Sequence, residues 1–160
     1  MAFLTGKGVT SVVNAAFLQE VKESNFELWA LFREIRVIHP SDWDTQQSAH
    51  RFVEKLSELR DAIGLQFTLE ETYGFIEGLP SQSVIGVASA DTARMQHKEL
   101  YLQIHEICEK VEEAQYRGTI ARDLHDYVDL FAAFDASFRA HEELEHELIR
   151  CGLGINHLRL

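Results

Sequence analysis

The sequence predicts an all-α protein, an antiparallel up-down-up-down four-helix bundle. Three observations carry that expectation: apolar residues recur at helical spacing over four long segments, breaker chemistry separates the segments, and the connections are short apart from one in the middle. The first helix runs from about Ala15 to Ile38 and stops at "HPSD", because the residue before Pro40 is pushed out of the helical region. The second begins near Ser41 or Asp44, either a suitable N-cap, and continues to about Glu77, where "GLPSQS" ends it. The third starts around Asp91, after "SVIGVASAD", and ends near Tyr116. The fourth follows "RGT" from about Thr119 to Arg150, with "CGLG" as its stop. "SVIGVAS" reads as a packed loop, since a lone strand has no partner there.

A length of 160 residues suits one domain with a core of its own, and 46% hydrophobic residues with two prolines point to a globular chain. Residues 1–14 read as a loose lead-in, 15–151 as the bundle and 152–160 as a tail. The net charge of -11 repels nucleic acid and anionic membrane surfaces, so neither is an expected partner. No apolar run approaches the roughly 18 residues of a membrane span. Cys108 and Cys151 form no CxxC pair and read as inert thiols, consistent with a reducing cytoplasm. "GLPSQSVIG" lacks the lysine and strand-to-helix context of a phosphate cradle, and no nucleophilic triad emerges by spacing. "EKVEEAQ" reads as a solvated face. An enzyme is therefore not the favoured expectation.

Written as core-facing stripes, every helix contains a polar break. The fourth gives Tyr127, Phe131, Phe134, Phe138, His141, Glu145, Leu148; the third gives His97, Leu100 or Tyr101, Ile104, Ile107 or Cys108, Val111. The second gives Phe52, Leu56, Leu59, Ile63, Gln66, Glu70, Tyr73; the first gives Leu18, Val21, Asn25, Leu28, Phe32, Ile35. Counting from a turn at Gly118, His97 and His141 lie within about 3 Å of one level, and from Trp43, Asn25 and Gln66 lie within about 8 Å. A buried carboxylate costs several kcal/mol unless paired or bound to a cation, and no stripe holds a lysine or arginine. Imidazole and carboxylate from facing helices are a ligand set for iron or manganese, with zinc not excluded. The other reading of the same layer is a metal-free hydrogen-bonded network. Tyr73 and Tyr101 fall close to this level and read as core tyrosines or, alternatively, as phenolate ligands. His39, His50, His105, His125, His146 and His157 fall away from it, and Trp29 and Trp43 read as packing residues.

"ESNFELWALFREIR", "LQFTLEETYGFI", "MQHKELYLQI" and "FRAHEELEHELI", in that order, resemble the four helices of the hemerythrin-like (HHE cation-binding) domain family, from about Glu23 to Leu148. The resemblance implies a non-haem iron centre of one or two ions in the bundle core, serving to bind or sense oxygen, nitric oxide or iron. It implies bridging carboxylates at Glu70 and Glu145 and terminal imidazoles at His97 and His141. Where the family has two further histidines this chain has Asn25 and Gln66, and a third falls at Tyr101. Three outcomes stay open: an asymmetric two-metal site, a one-metal site held by Glu70, His97, His141 and Glu145, or a metal-free bundle acting as a protein-interaction module. The expected partners are a metal ion and a diatomic small molecule, with homodimerisation open.

Overall fold

A computed structural model describes residues 10–39, 45–78 and 84–154. Over these residues the chain is helical, with one two-stranded ribbon. In order come β1 (Thr10–Val13), α1 (Ala15–Ser24), α2 (Phe26–Arg36), α3 (Thr45–Leu69), a π-helical turn (Glu70–Gly74), β2 (Phe75–Gly78), α4 (Val84–Arg117) and α5 (Leu124–Gly152). Among them no helix is long and apolar enough to cross a membrane. The expected stop at Pro40, the caps Ser41 and Asp44, Trp43, most of "GLPSQS" and His157 lie outside the described residues.

The expected first helix is two helices. Asn25 has a non-helical backbone (φ -94, ψ 66), and its side-chain oxygen accepts from the Leu28 N–H at 3.3 Å, so it caps α2 rather than continuing α1. Asparagine favours this position because its short amide satisfies an N–H that the first helical turn cannot. The interruption resets the helical phase. α1 buries Ala15, Leu18 and Lys22, whereas α2 buries Leu28, Phe32 and Ile35.

The second expected helix also ends early. At Glu70 the α-helix widens into the π turn, after which β2 pairs antiparallel with β1, Val13 opposite Phe75 and Thr10 opposite Gly78. Part of the expected lead-in is therefore a strand, and its partner lies about 60 residues away. Asn14 secures the junction: its N–H donates to the Gly74 carbonyl at 2.7 Å and its amide donates to the Tyr73 carbonyl at 3.2 Å. A Cβ at Gly74 would lie 2.3 Å from Leu18 Cδ2, so any side chain here would force the buried Leu18 to shift. α4 starts earlier than Asp91, so the "VIGVASA" stretch is helix, not loop. It ends at Gly118, whose φ of +78 suits the residue that reverses the chain after a helix.

The chain divides into two compact units that share its three long helices. One lies within Met1–Ser24, Gln66–Lys98 and Arg139–Leu160, the other in Asn25–Leu65 and Glu99–Phe138. The first has a small apolar core of Ala15, Leu18, Phe75, Ala90, Ala93, Leu148 and Ile149. The second is filled by aromatic rings. Phe32 stacks on Phe134 (6.4 Å, 5°) and meets Phe138 at 4.7 Å and Phe131 at 6.3 Å, with Trp29 against Phe32 and Phe138. Cys108 is buried there and donates to the Leu56 carbonyl; burial pushes its thiol up to about 11, as an inert core cysteine requires.

Candidate metal centre

The first unit holds a cluster of buried ionisable groups. Glu70 opens the π turn, His97 lies on α4, and His141 and Glu145 sit one turn apart on α5. One ligand atom from each of these four lies within 4.8 Å of the others, and all four residues are buried. Tetrahedral donors on a metal at about 2.1 Å lie roughly 3.4 Å apart, so a small inward movement would suit a single ion.

The outer hydrogen bonds orient both imidazoles. His97 Nδ1 donates to Glu71 Oε2 at 2.7 Å, and Glu71 Oε1 accepts from Arg94 Nε at 2.9 Å. His141 Nδ1 faces the Gln96 amide oxygen at 2.8 Å. In each ring the outer nitrogen is thereby the donor, which turns Nε2 inward. His97 Nε2 lies 3.0 Å from both Glu70 Oε1 and Glu145 Oε2, and His141 Nε2 lies 3.2 Å from Glu145 Oε1. A neutral His97 would aim a lone pair at two carboxylate oxygens, which is repulsive. Only a second ring proton or a metal ion makes that arrangement favourable. A proton serves one oxygen at a time: the bond goes to Glu145, and Glu70 Oε1 is left buried without a hydrogen-bond donor. Phe67 stacks on the His97 ring at 4.1 Å, and Phe75 meets it edge-on, holding its plane.

The cation absent from the predicted stripes is present in the structure. Lys22, only 5% exposed, places Nζ 2.6 Å from Glu145 Oε1, 3.0 Å from Glu70 Oε2 and 2.8 Å from Glu142 Oε2. Burial alone would lower the Lys22 pKa, but Glu145, Glu70 and Glu142 outweigh it and hold the ammonium charged. Burial likewise opposes protonation of His97, yet the Glu145, Glu70 and Glu71 carboxylates around its ring raise it to about 11 in the metal-free chain. Burial pushes Glu142 up to about 8 against the pull of Lys22. For Glu145 burial is overcome by His141, His97 and Lys22, which hold it well below the usual carboxylate range.

The structure thus brings Glu70, His97, His141 and Glu145 together. Gln66 adjoins them, its amide donating to Glu70 Oε2 at 2.7 Å rather than offering its oxygen. Asn25 is the α2 cap in the other unit. Tyr101 also belongs to that unit, half-buried against Gly64 and His105. Tyr73, expected close to the layer, is 56% exposed and lies against Phe17 with the rings tilted by 51°. Sequence reasoning missed Lys22, Glu142, Glu71 and Gln96. The one signal for Lys22 is its spacing from Ala15 and Leu18, visible once α1 is treated as a separate helix.

No protein-family model, curated protein or solved structure matches the chain.

Proposed function

We propose that this chain is a metal-binding protein holding one transition-metal cation through Glu70, His97, His141 and Glu145. The observation that carries the reading is the orientation of the two imidazoles: both Nδ1 atoms are engaged from outside, while both Nε2 atoms converge with carboxylate oxygens. Two imidazoles and two carboxylates suit iron or manganese, and zinc at four-coordination. In this reading the chain keeps the antiparallel four-helix bundle and hemerythrin-like character expected from its sequence. Four protein donors leave up to two positions of a six-coordinate ion for a small ligand, which supports binding or sensing of a diatomic molecule.

A second reading has its own support. Lys22 and a protonated His97 together compensate the buried carboxylates without metal, as a metal-free interaction module would require. Metal analysis of protein expressed with iron, manganese and zinc separates the two. The metal-centre reading expects one equivalent, lost in His141→Ala, and a raised melting temperature on reloading chelator-treated protein. Metal well below one equivalent, with melting indifferent to all three ions, leaves the metal-free bundle.

A further inference from the structure

Glu70 and Glu145 each divide their two oxygens between different cation positions. Glu70 turns Oε1 towards His97 and Oε2 towards Lys22; Glu145 turns Oε2 towards His97 and Oε1 towards Lys22, with His141 Nε2 3.2 Å from that same Oε1. The ammonium therefore occupies a second position bridged to the first by the same two carboxylates. Around it stand Glu142, with both oxygens at 2.8 to 3.1 Å, and Gln66, whose amide reaches the Glu70 oxygen that Lys22 also contacts.

We propose that Lys22 is a built-in second cation that limits the centre to a single metal ion, and that removing it opens a second, oxygen-lined position for a hard divalent ion. The inference rests on the metal-centre reading for the first position. Charge supports it: with Glu142 ionised, three carboxylates, one ammonium and one divalent ion sum to zero, so a second ion beside Lys22 would leave the buried cluster two charges positive, and three with Glu142 protonated. Geometry agrees. The ammonium sits 2.6 to 3.1 Å from its oxygens, whereas a small divalent ion binds oxygen at about 2.1 Å, so the three carboxylates need draw in by only about 0.5 to 1 Å. The oxygens around the ammonium come from the Glu70, Glu142 and Glu145 carboxylates, which favour manganese or magnesium over softer ions.

The probe is manganese(II), added in excess to chelator-treated full-length protein and measured by elemental analysis after gel filtration, with electron paramagnetic resonance on the same samples. Wild type and Lys22→Arg, which keeps the charge, are expected to retain one equivalent with an isolated-ion spectrum. Lys22→Ala is expected to retain two, with the spectrum of an exchange-coupled pair, because the shared carboxylates link the ions. Should Lys22→Ala fail to fold, the double variant Lys22→Ala/Glu142→Gln keeps the net charge of the cluster and takes the second ion more weakly. One equivalent or less in every folded Lys22 variant, with one in wild type, overturns this inference and leaves the proposed function standing. No metal in wild type but one ion in Lys22→Ala overturns the proposed function and retains Lys22 as the resident cation.

Discussion

The two units are built from stretches of the same three long helices and are filled in opposite ways. In one, Phe32, Phe131, Phe134 and Phe138 pack ring against ring, and the principal ion pair, Arg36 with Asp135, is partly solvent-exposed. In the other, seven apolar residues, three of them alanines, accompany Lys22, Glu70, Glu142, Glu145, His97 and His141, all buried. Apolar burial is non-directional and indifferent to pH, while a buried charge cluster stabilises only when its charges balance and its geometry is kept. The aromatic unit should therefore respond to lost volume, and the polar unit to lost charge.

The sharpest way to break this contrast pairs one large substitution from each unit. Phe134→Ala leaves a cavity in the aromatic unit and should cost about 3 to 5 kcal/mol in urea unfolding, with or without metal. Glu145→Leu removes no volume, but strips one carboxylate from Lys22, His97 and His141, and breaking such a buried set costs about 3 to 5 kcal/mol as well. The two differ in their response to metal: added manganese should leave the Phe134→Ala deficit unchanged, and should stabilise wild type but not Glu145→Leu. Equal metal responses in the two variants would show that the carboxylate is not part of a metal centre.

A smaller effect comes from pH. In metal-free protein Glu142 and His97 keep their protons in the folded chain up to about 8 and about 11, above their ordinary values of 4.5 and 6.5. The unfolded chain releases both earlier, so the stability they contribute is full below the ordinary values and is lost as pH rises through the folded ones. Glu145 has the opposite sign: its folded pKa is depressed, and its contribution is lost on acidification below its ordinary 4.5. Hydrogen exchange, corrected for the intrinsic pH dependence, should show protection falling between pH 6.5 and 9 in 139–152 of α5 and holding steady in 131–138. A uniform loss along α5 would mean that the polar cluster does not govern its own unit.

Much of this was legible in the sequence, for an identifiable reason. On α5 one uninterrupted helix carries Phe131, Phe134, Phe138, His141, Glu145 and Leu148, and every one is buried as the 3,4 spacing requires. Gln66, Glu70 and His97 were legible on the same ground. Lys22 was not, because apolar periodicity carries on through Asn25 while the backbone does not, and the phase on the near side of the break is the one that turns Lys22 inward. Glu142 falls beside the stripe and gains meaning only from Lys22. The β1–β2 pairing joins segments too far apart for local pattern to reveal, and the valines and isoleucine of 84–90 disguise a helix start.

Asn25 supplies the finest test of where the two units divide, since it opens the aromatic unit and was expected among the metal ligands. Its oxygen accepts from the Leu28 N–H, so its energetic role is that of an N-cap. Asn25→Ala should lower stability by about 1 kcal/mol, and Asn25→Ser or Asn25→Asp should restore most of it, because each of those side chains can accept the same hydrogen bond. Exchange protection should fall first in α2. Metal content should be unchanged in all three variants, since a cap acts on the backbone of its own helix. A loss of metal in Asn25→Ser with the cap preserved would instead return Asn25 to the ligand set and extend the polar cluster beyond the unit in which it lies.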